Sequence, residues 1–342
     1  MGISCTGKAL IRSLFIALFW TSALFAQSGG TSVFTFLDRS VFAGASALGN
    51  AAYLHEGKVA AFAVQNPLLL TDSSRHQLEM SSGSLGQGIQ LLQGSYSFDI
   101  KGRHVIVGAQ TIQYGVFGGT DQWGNPQGTF YAGDIAFTAG TEVVRLGPVR
   151  IGATAKLVNG TYESYQSWAV ATDAVAMYEG EAGPKVALMV KNLGTQLTTF
   201  GGTYEPLPTN VLIAVGDKLA HAPFRWTFVF DQLQRPNLGY DDPNFVTVDP
   251  VTGATTQLDM SLLNLAMRHV SGSLEFTPTQ RLHLMLGYNF RRQFEMSLPE
   301  RRTSGGFTLG AGLYFNKFQL HFANELRSVA GRMNTLSLGL NL

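Results

Sequence analysis

The 342-residue chain has 24 Lys and Arg against 23 Asp and Glu, a net charge of +1 that gives no field to draw it to nucleic acid. Charged residues are only 14%, against ~25% in soluble domains, while glycines number 39 and aromatics reach 11%. A mean hydropathy of +0.09 is too low for a bundle of membrane helices and fits a β protein with little aqueous surface.

Residues 1–26 read as an export signal. Lys8 and Arg12 form a basic start, Ser13 to Phe25 an apolar stretch too short to span a bilayer, and Ala26 is the expected last residue before cleavage. The single cysteine, Cys5, leaves with this segment. The mature chain is therefore expected to lack disulfides, thiolate metal ligands and a cysteine nucleophile.

Residues 27–75 do not alternate. The run "VFAGASALGNAAYLHEGKVAAFAVQNPLLL" is small and apolar, broken by Gly44, Gly49, Gly57 and Pro67. It is expected to plug the lumen of a barrel; packing beneath a barrel is the alternative.

Residues 76–342 carry a period of two, the signature of strands with one apolar and one polar face. Leu282, Leu284, Leu286, Tyr288 and Phe290 oppose Arg281, His283, Asn289 and Arg291. Phe318, Leu320 and Phe322 oppose Lys317, Gln319, His321, Glu325 and Arg327, and Leu336, Leu338, Leu340 and Leu342 oppose Thr335, Ser337, Gly339 and Asn341. "GGFTLGAGLYF" (305–315) invites a phosphate-loop reading through Gly310 and Gly312, but no helix start follows and the alternation persists, so a strand is expected. Several runs have the ~9–11 residues of a tilted transmembrane strand, and about fourteen are recognisable.

The connections alternate in length. Short turns are expected at 101–102, 145–148, 179–184, 219–223, 277–280 and 316–317, and long loops at 115–129, 194–209, about 233–260 and 294–304. Short turns on one side and long loops on the other mark an outer-membrane barrel. The expected fold is thus all-β: a transmembrane antiparallel barrel of about 14 strands with an N-terminal plug.

Four stretches carry a family resemblance: "FTFLDRSVFAGASALGN" (34–50) with Asn66–Pro67, "KNLGTQL" (191–197), 207–238, and the tail 282–326. Together they resemble the PorV/PorQ family of outer-membrane proteins, which is similar to the FadL long-chain fatty-acid transporters, and within it the PorQ branch of the type IX secretion system. Arg39 and Phe42 stand where the family pattern favours smaller apolar residues. The resemblance implies a fourteen-strand barrel with an N-terminal hatch and no catalysis. It implies a holder for a PorZ-like surface protein, working with a PorU-like sortase and a PorV-like barrel to attach cargo to lipopolysaccharide. A FadL-like transporter of small hydrophobic molecules is the alternative.

No enzyme site is expected. The seven histidines form no metal-ligand pair, His283 and His321 fall on polar strand faces, and no serine sits in a nucleophile elbow. No cofactor or metal is expected, although Asp241 and Asp242 stand side by side in a turn. Arg291, Arg292, Arg301 and Arg302 are expected to pair with Glu295 and Glu300, or to meet lipopolysaccharide phosphates. Candidate partner contacts on the long loops are Trp123, Tyr204, Tyr240, Asp241, Arg301 and Arg302.

Overall fold

Fourteen strands form one closed antiparallel barrel in the computed structural model, which describes residues 32–86, 88–239, 246–248, 255–257, 261–296, 305–328 and 331–342. The expected signal segment lies outside the described residues. The wall begins with β1 (Gln77–Gly86), β2 (Ile89–Ile100), β3 (Arg103–Thr120), β4 (Pro126–Leu146), β5 (Val149–Tyr162) and β6 (Tyr165–Tyr178). It continues with β7 (Lys185–Thr198), β8 (Asn210–Lys218) and β9 (Phe224–Phe230), then leaves the barrel for a small hairpin, β10 (Val246–Val248) and β11 (Thr255–Gln257). It returns as β12 (Val270–Phe276), β13 (Leu282–Asn289), β14 (Phe307–Tyr314), β15 (Phe318–Ser328) and β16 (Gly331–Asn341). Successive wall strands pair throughout, β9 with β12 across the hairpin, and β1 seals against β16 from Gln77↔Asn341 to Ser84↔Asn334.

Alternation decides which residues face out. On β16, Met333, Thr335 and Ser337 are almost fully buried, while Leu336, Leu338 and Leu340 are 58, 41 and 37% exposed. Leu309, Leu313 and Phe322 continue the band on β14 and β15. An apolar belt of this kind belongs in hydrocarbon, where a closed ladder pairs the backbone groups of the wall with one another.

The lumen is filled by residues 32–76. Short 3-10 turns (Thr35–Asp38, Ala60–Val64, Pro67–Leu69) and a one-turn helix (Ala43–Ala47) fold this segment without a long element. Its apolar residues make the core: Phe42, Phe62, Leu48, Leu68 and Leu69 are each buried to 1% exposure or less. Gly310 of "GGFTLGAGLYF" faces this plug, and a Cβ there would collide with the Ala47 Cβ; on β13, a Cβ at Gly287 would meet the Leu48 carbonyl carbon at 2.5 Å. The glycines are spacers that let the plug lie against the wall, not a phosphate cradle.

Two expectations are corrected. Residues 115–129 are not one long loop: β3 runs to Thr120 and β4 begins at Pro126, leaving only a tight turn. Pairing to β2 stops at Gln113 and pairing to β5 at Ala132, so the hairpin tip stands alone, rising about 20 Å at ~3.3 Å per residue. Cross-strand packing, including Phe117 stacked on Phe130 at 5.3 Å, holds it despite its glycines. The second correction concerns the run through Phe290 and Arg291, where β13 stops at Asn289 and a helix, Phe290–Met296, follows. The Asn289 side chain accepts from the Arg292 backbone N–H at 2.9 Å, capping that helix.

Candidate functional site

The inner wall is polar where the plug meets it. Gln93 Oε1 accepts the Val41 backbone N–H at 3.0 Å, Ser337 Oγ accepts that of Ala43 at 2.8 Å, and Gln77 Oε1 accepts that of Ala60 at 2.8 Å. Thr308 donates to the Ala47 carbonyl at 2.8 Å. An irregular segment leaves backbone groups that no ladder satisfies, and inward polar side chains of the wall take that role.

Titratable side chains also join the plug to the wall. His55 Nε2 lies 3.3 Å from Glu275 Oε1 of β12, and His283 Nδ1 lies 2.7 Å from the same oxygen. Arg225 reaches the other oxygen of Glu275 at 3.3 Å. Burial pushes the His55 imidazole below its ordinary range, with Glu275 acting against that shift. Near the turn end of the barrel, Glu56 pairs with Lys185 and with Arg150 at 3.5 Å. Burial tends to raise the Glu179 carboxyl in the turn 179–184, but Lys185 and Arg150 outweigh it and hold it below its usual value. Within the wall, Lys156 Nζ contacts Asp173 and Asn192, each at 2.7 Å.

The opposite, long-loop end opens into a vestibule of about 840 Å³. Its floor is the start of the plug (Ser32, Asp38, Arg39, Asn50), and its side comprises the ends of β8, β9, β12 and β13. That side of the wall is low: β9 and β12 have seven residues each, against 18 in β3 and 21 in β4. Among the described residues five arginines line the chamber: Arg39, Arg235, Arg268, Arg291 and Arg292. Arg291 pairs with Asp231 at 3.1 Å and Arg292 with Glu325 at 2.6 Å, and both also act electrostatically on Glu295. Glu300 lies outside the described residues. Asp38 accepts from Asn192 Nδ2 at 3.0 Å, and its burial raises its carboxyl above the ordinary range.

Two sequence candidates are visible on the outer surface, apart from each other. Trp123, 77% exposed, sits at the tip of the free-standing hairpin. There Asp121 Oδ1 accepts from the backbone N–H groups of Trp123 at 2.9 Å and Asn125 at 2.8 Å. Hydrogen bonds from Asn125 above all hold the Asp121 carboxyl below its usual range. Tyr204, 55% exposed, lies in the β7–β8 loop, its hydroxyl accepting from Thr195 at 3.4 Å. Tyr240, Asp241, Arg301 and Arg302 lie outside the described residues. Sequence reading missed the cluster of Arg39, Glu325, Arg235 and Asp231. Its one signal was Arg39 itself, out of place in the family pattern.

The fold defines the class: a closed fourteen-strand antiparallel β-barrel with an internal plug, an architecture shared with solved outer-membrane barrels. Among solved structures, the monoaromatic hydrocarbon channel CymD aligns with a TM-score of 0.51 at 9% identity, covering 89% of this chain and 98% of that one. A FadL homologue of Pseudomonas aeruginosa has a TM-score of 0.49 at 9% identity, covering 92% of this chain and 100% of that one. For the Ralstonia pickettii toluene transporter TbuX the TM-score is 0.48 at 9% identity, covering 91% of this chain and 100% of that one. No protein-family model and no curated protein matches the sequence.

Proposed function

We propose that the chain is a plugged barrel of the bacterial outer membrane that admits small molecules at its outer end, as a FadL-like transporter does. The vestibule carries this reading: a chamber of about 840 Å³, large enough for a small organic ligand, floored by a plug rather than by the wall. The shared fold with CymD, named as a monoaromatic hydrocarbon channel, supports it. Passage beyond the floor requires the plug to shift, because the lumen below is packed and a second cavity of about 30 Å³ holds a water at most. Proteoliposomes carrying the purified barrel, tested for permeation of toluene and other small solutes, check the reading. Permeability equal to that of empty vesicles removes it.

A second reading follows from the sequence resemblance and is favoured by the free-standing hairpin. As a PorQ-like component of type IX secretion, the chain would be a non-enzymatic holder for a PorZ-like surface protein, beside a PorU-like sortase and a PorV-like barrel. An arm that lifts Trp123 about 20 Å above the wall suits a partner in the surface layer. Crosslinking cells and purifying the tagged barrel tests it. Recovery of a surface partner, with cargo released on deletion, favours the holder; normal cargo attachment with lost solute uptake favours the transporter.

A further inference from the structure

The vestibule is not the greasy chamber that a hydrocarbon would select. Its wall holds five arginines against three carboxylates, Asp38, Asp231 and Glu295, among the described residues. Asp231 is already engaged by Arg291. Behind the wall a single oxygen, Glu325 Oε1, serves three guanidinium groups: Arg39 at 3.4 Å, Arg292 at 2.6 Å and Arg327 at 3.4 Å. Glu325 is 1% exposed, so it cannot be supplemented by solvent charge.

A guanidinium offers five N–H donors in a planar fork, and one carboxylate oxygen cannot satisfy three forks. Arg327 Nη2 is buried with no hydrogen-bond partner among the described residues. Arg235 makes no ion pair among the described residues, while Arg39 keeps 32% of its side chain exposed beside the chamber. Donors are therefore left over, fixed by a plug residue, a post-β9 loop and the helix after β13. Arginine forks match planar oxyanions, and each charge-assisted bond is stronger inside a partly dry chamber than in water.

We infer that the vestibule is an oxyanion-binding site, taking the carboxylate or phosphate group of a small molecule between Arg39, Arg235 and Arg292. The site supplies a substrate class for the transporter reading and rests on that reading for its route inward, but its occupancy is measured separately. Because Arg39 belongs to the plug, a bound oxyanion competes with Glu325 for it and so touches the plug's own attachment.

The test titrates the full barrel in detergent with benzoate, inorganic phosphate and the neutral benzyl alcohol, by calorimetry at low and high salt. Benzoate and phosphate should bind saturably and more weakly at high salt, and benzyl alcohol should not saturate. Arg39→Gln should weaken benzoate roughly tenfold, the worth of one charge-assisted hydrogen bond. Arg235→Gln should weaken it similarly, and it breaks no ion pair among the described residues, so the fold is retained. A second arm repeats the benzoate titration in vesicles with and without lipopolysaccharide. Competition there assigns the oxyanion to the lipid's phosphate in the same site; its absence assigns it to a free solute. Benzyl alcohol binding as tightly as benzoate, or benzoate unaffected by both variants, overturns the proposal. Permeation of benzoate and of toluene through proteoliposomes is read independently: saturable benzoate binding without permeation of either solute removes the transporter reading and leaves the site.

Discussion

His55 of the plug and Glu275 of the wall stand 3.3 Å apart, at 5% and 2% exposure, in a chain where they are separated by most of the barrel. The imidazole also lies against Phe62 at 4.3 Å between ring centres. Burial depresses its proton affinity, so below the ordinary imidazole value of ~6.5 the unfolded chain binds more protons than the folded one. Its contribution is therefore complete above that value and declines as pH falls. The plug should melt at lower temperature at about pH 5.5 than at about pH 7.5, and His55→Gln should flatten this difference. Asp38, whose carboxyl is raised by burial, acts in the opposite sense, being most favourable in acid. Thermal melts of His55→Gln and Asp38→Asn across pH separate the two.

Phe42 is 0% exposed and meets Phe62 edge-on at 4.9 Å and His321 at 5.0 Å. Phe42→Ala leaves a cavity that the surrounding wall, fixed by its ladder, cannot collapse into. A loss of about 3–5 kcal/mol from plug stability is expected. Denaturant titration should show it, while heat-modifiable migration in gels reports that the barrel itself still closes.

Lys156 and Asp173 form a buried pair, 7% and 3% exposed, at 2.7 Å. Lys156→Ala strands a carboxylate in the lumen wall, expected to cost about 3–5 kcal/mol. Replacing both, as Lys156→Leu with Asp173→Ala, should cost much less. A double-mutant cycle in denaturant measures the difference.

Leu336→Arg places a charge in the lipid-facing belt beside Phe322 and Ser82 and should destabilise the folded barrel by about 2–4 kcal/mol if it lies at mid-depth. Trp123→Ala at the hairpin tip should change stability by less than about 0.5 kcal/mol, its side chain being 77% exposed. Any loss of a crosslinked surface partner in that variant then reports contact, not misfolding.

The wall was legible in sequence because lipid imposes a strict rule. Leu336, Leu338 and Leu340 must alternate with inward residues, and each strand carries that pattern locally. The hairpin of β3 and β4 was less legible: Gly118, Gly119 and Gly124 read as loop, whereas pairing across the hairpin, not propensity, keeps it extended. The turn into helix after Asn289 was hidden because Phe290 and Arg291 continue the alternation. The vestibule was hardest to see. Arg39, Arg292 and Glu325 meet only through closure of the ring, and no local spacing encodes that meeting. His283 and His321 do turn inward as the period requires, yet the partner of His283, Glu275, is an isolated acid in a short strand.

Because Gln77 must find Asn341, the cylinder has no partial form that satisfies its backbone. Until the carboxyl-terminal strand arrives, β1 and whichever strand was made last each offer a row of naked amides and carbonyls to any neighbour. The polypeptide therefore has to travel to its membrane extended and shielded, and a truncation of even the final few residues should leave an open, sticky sheet in place of a slightly smaller pore.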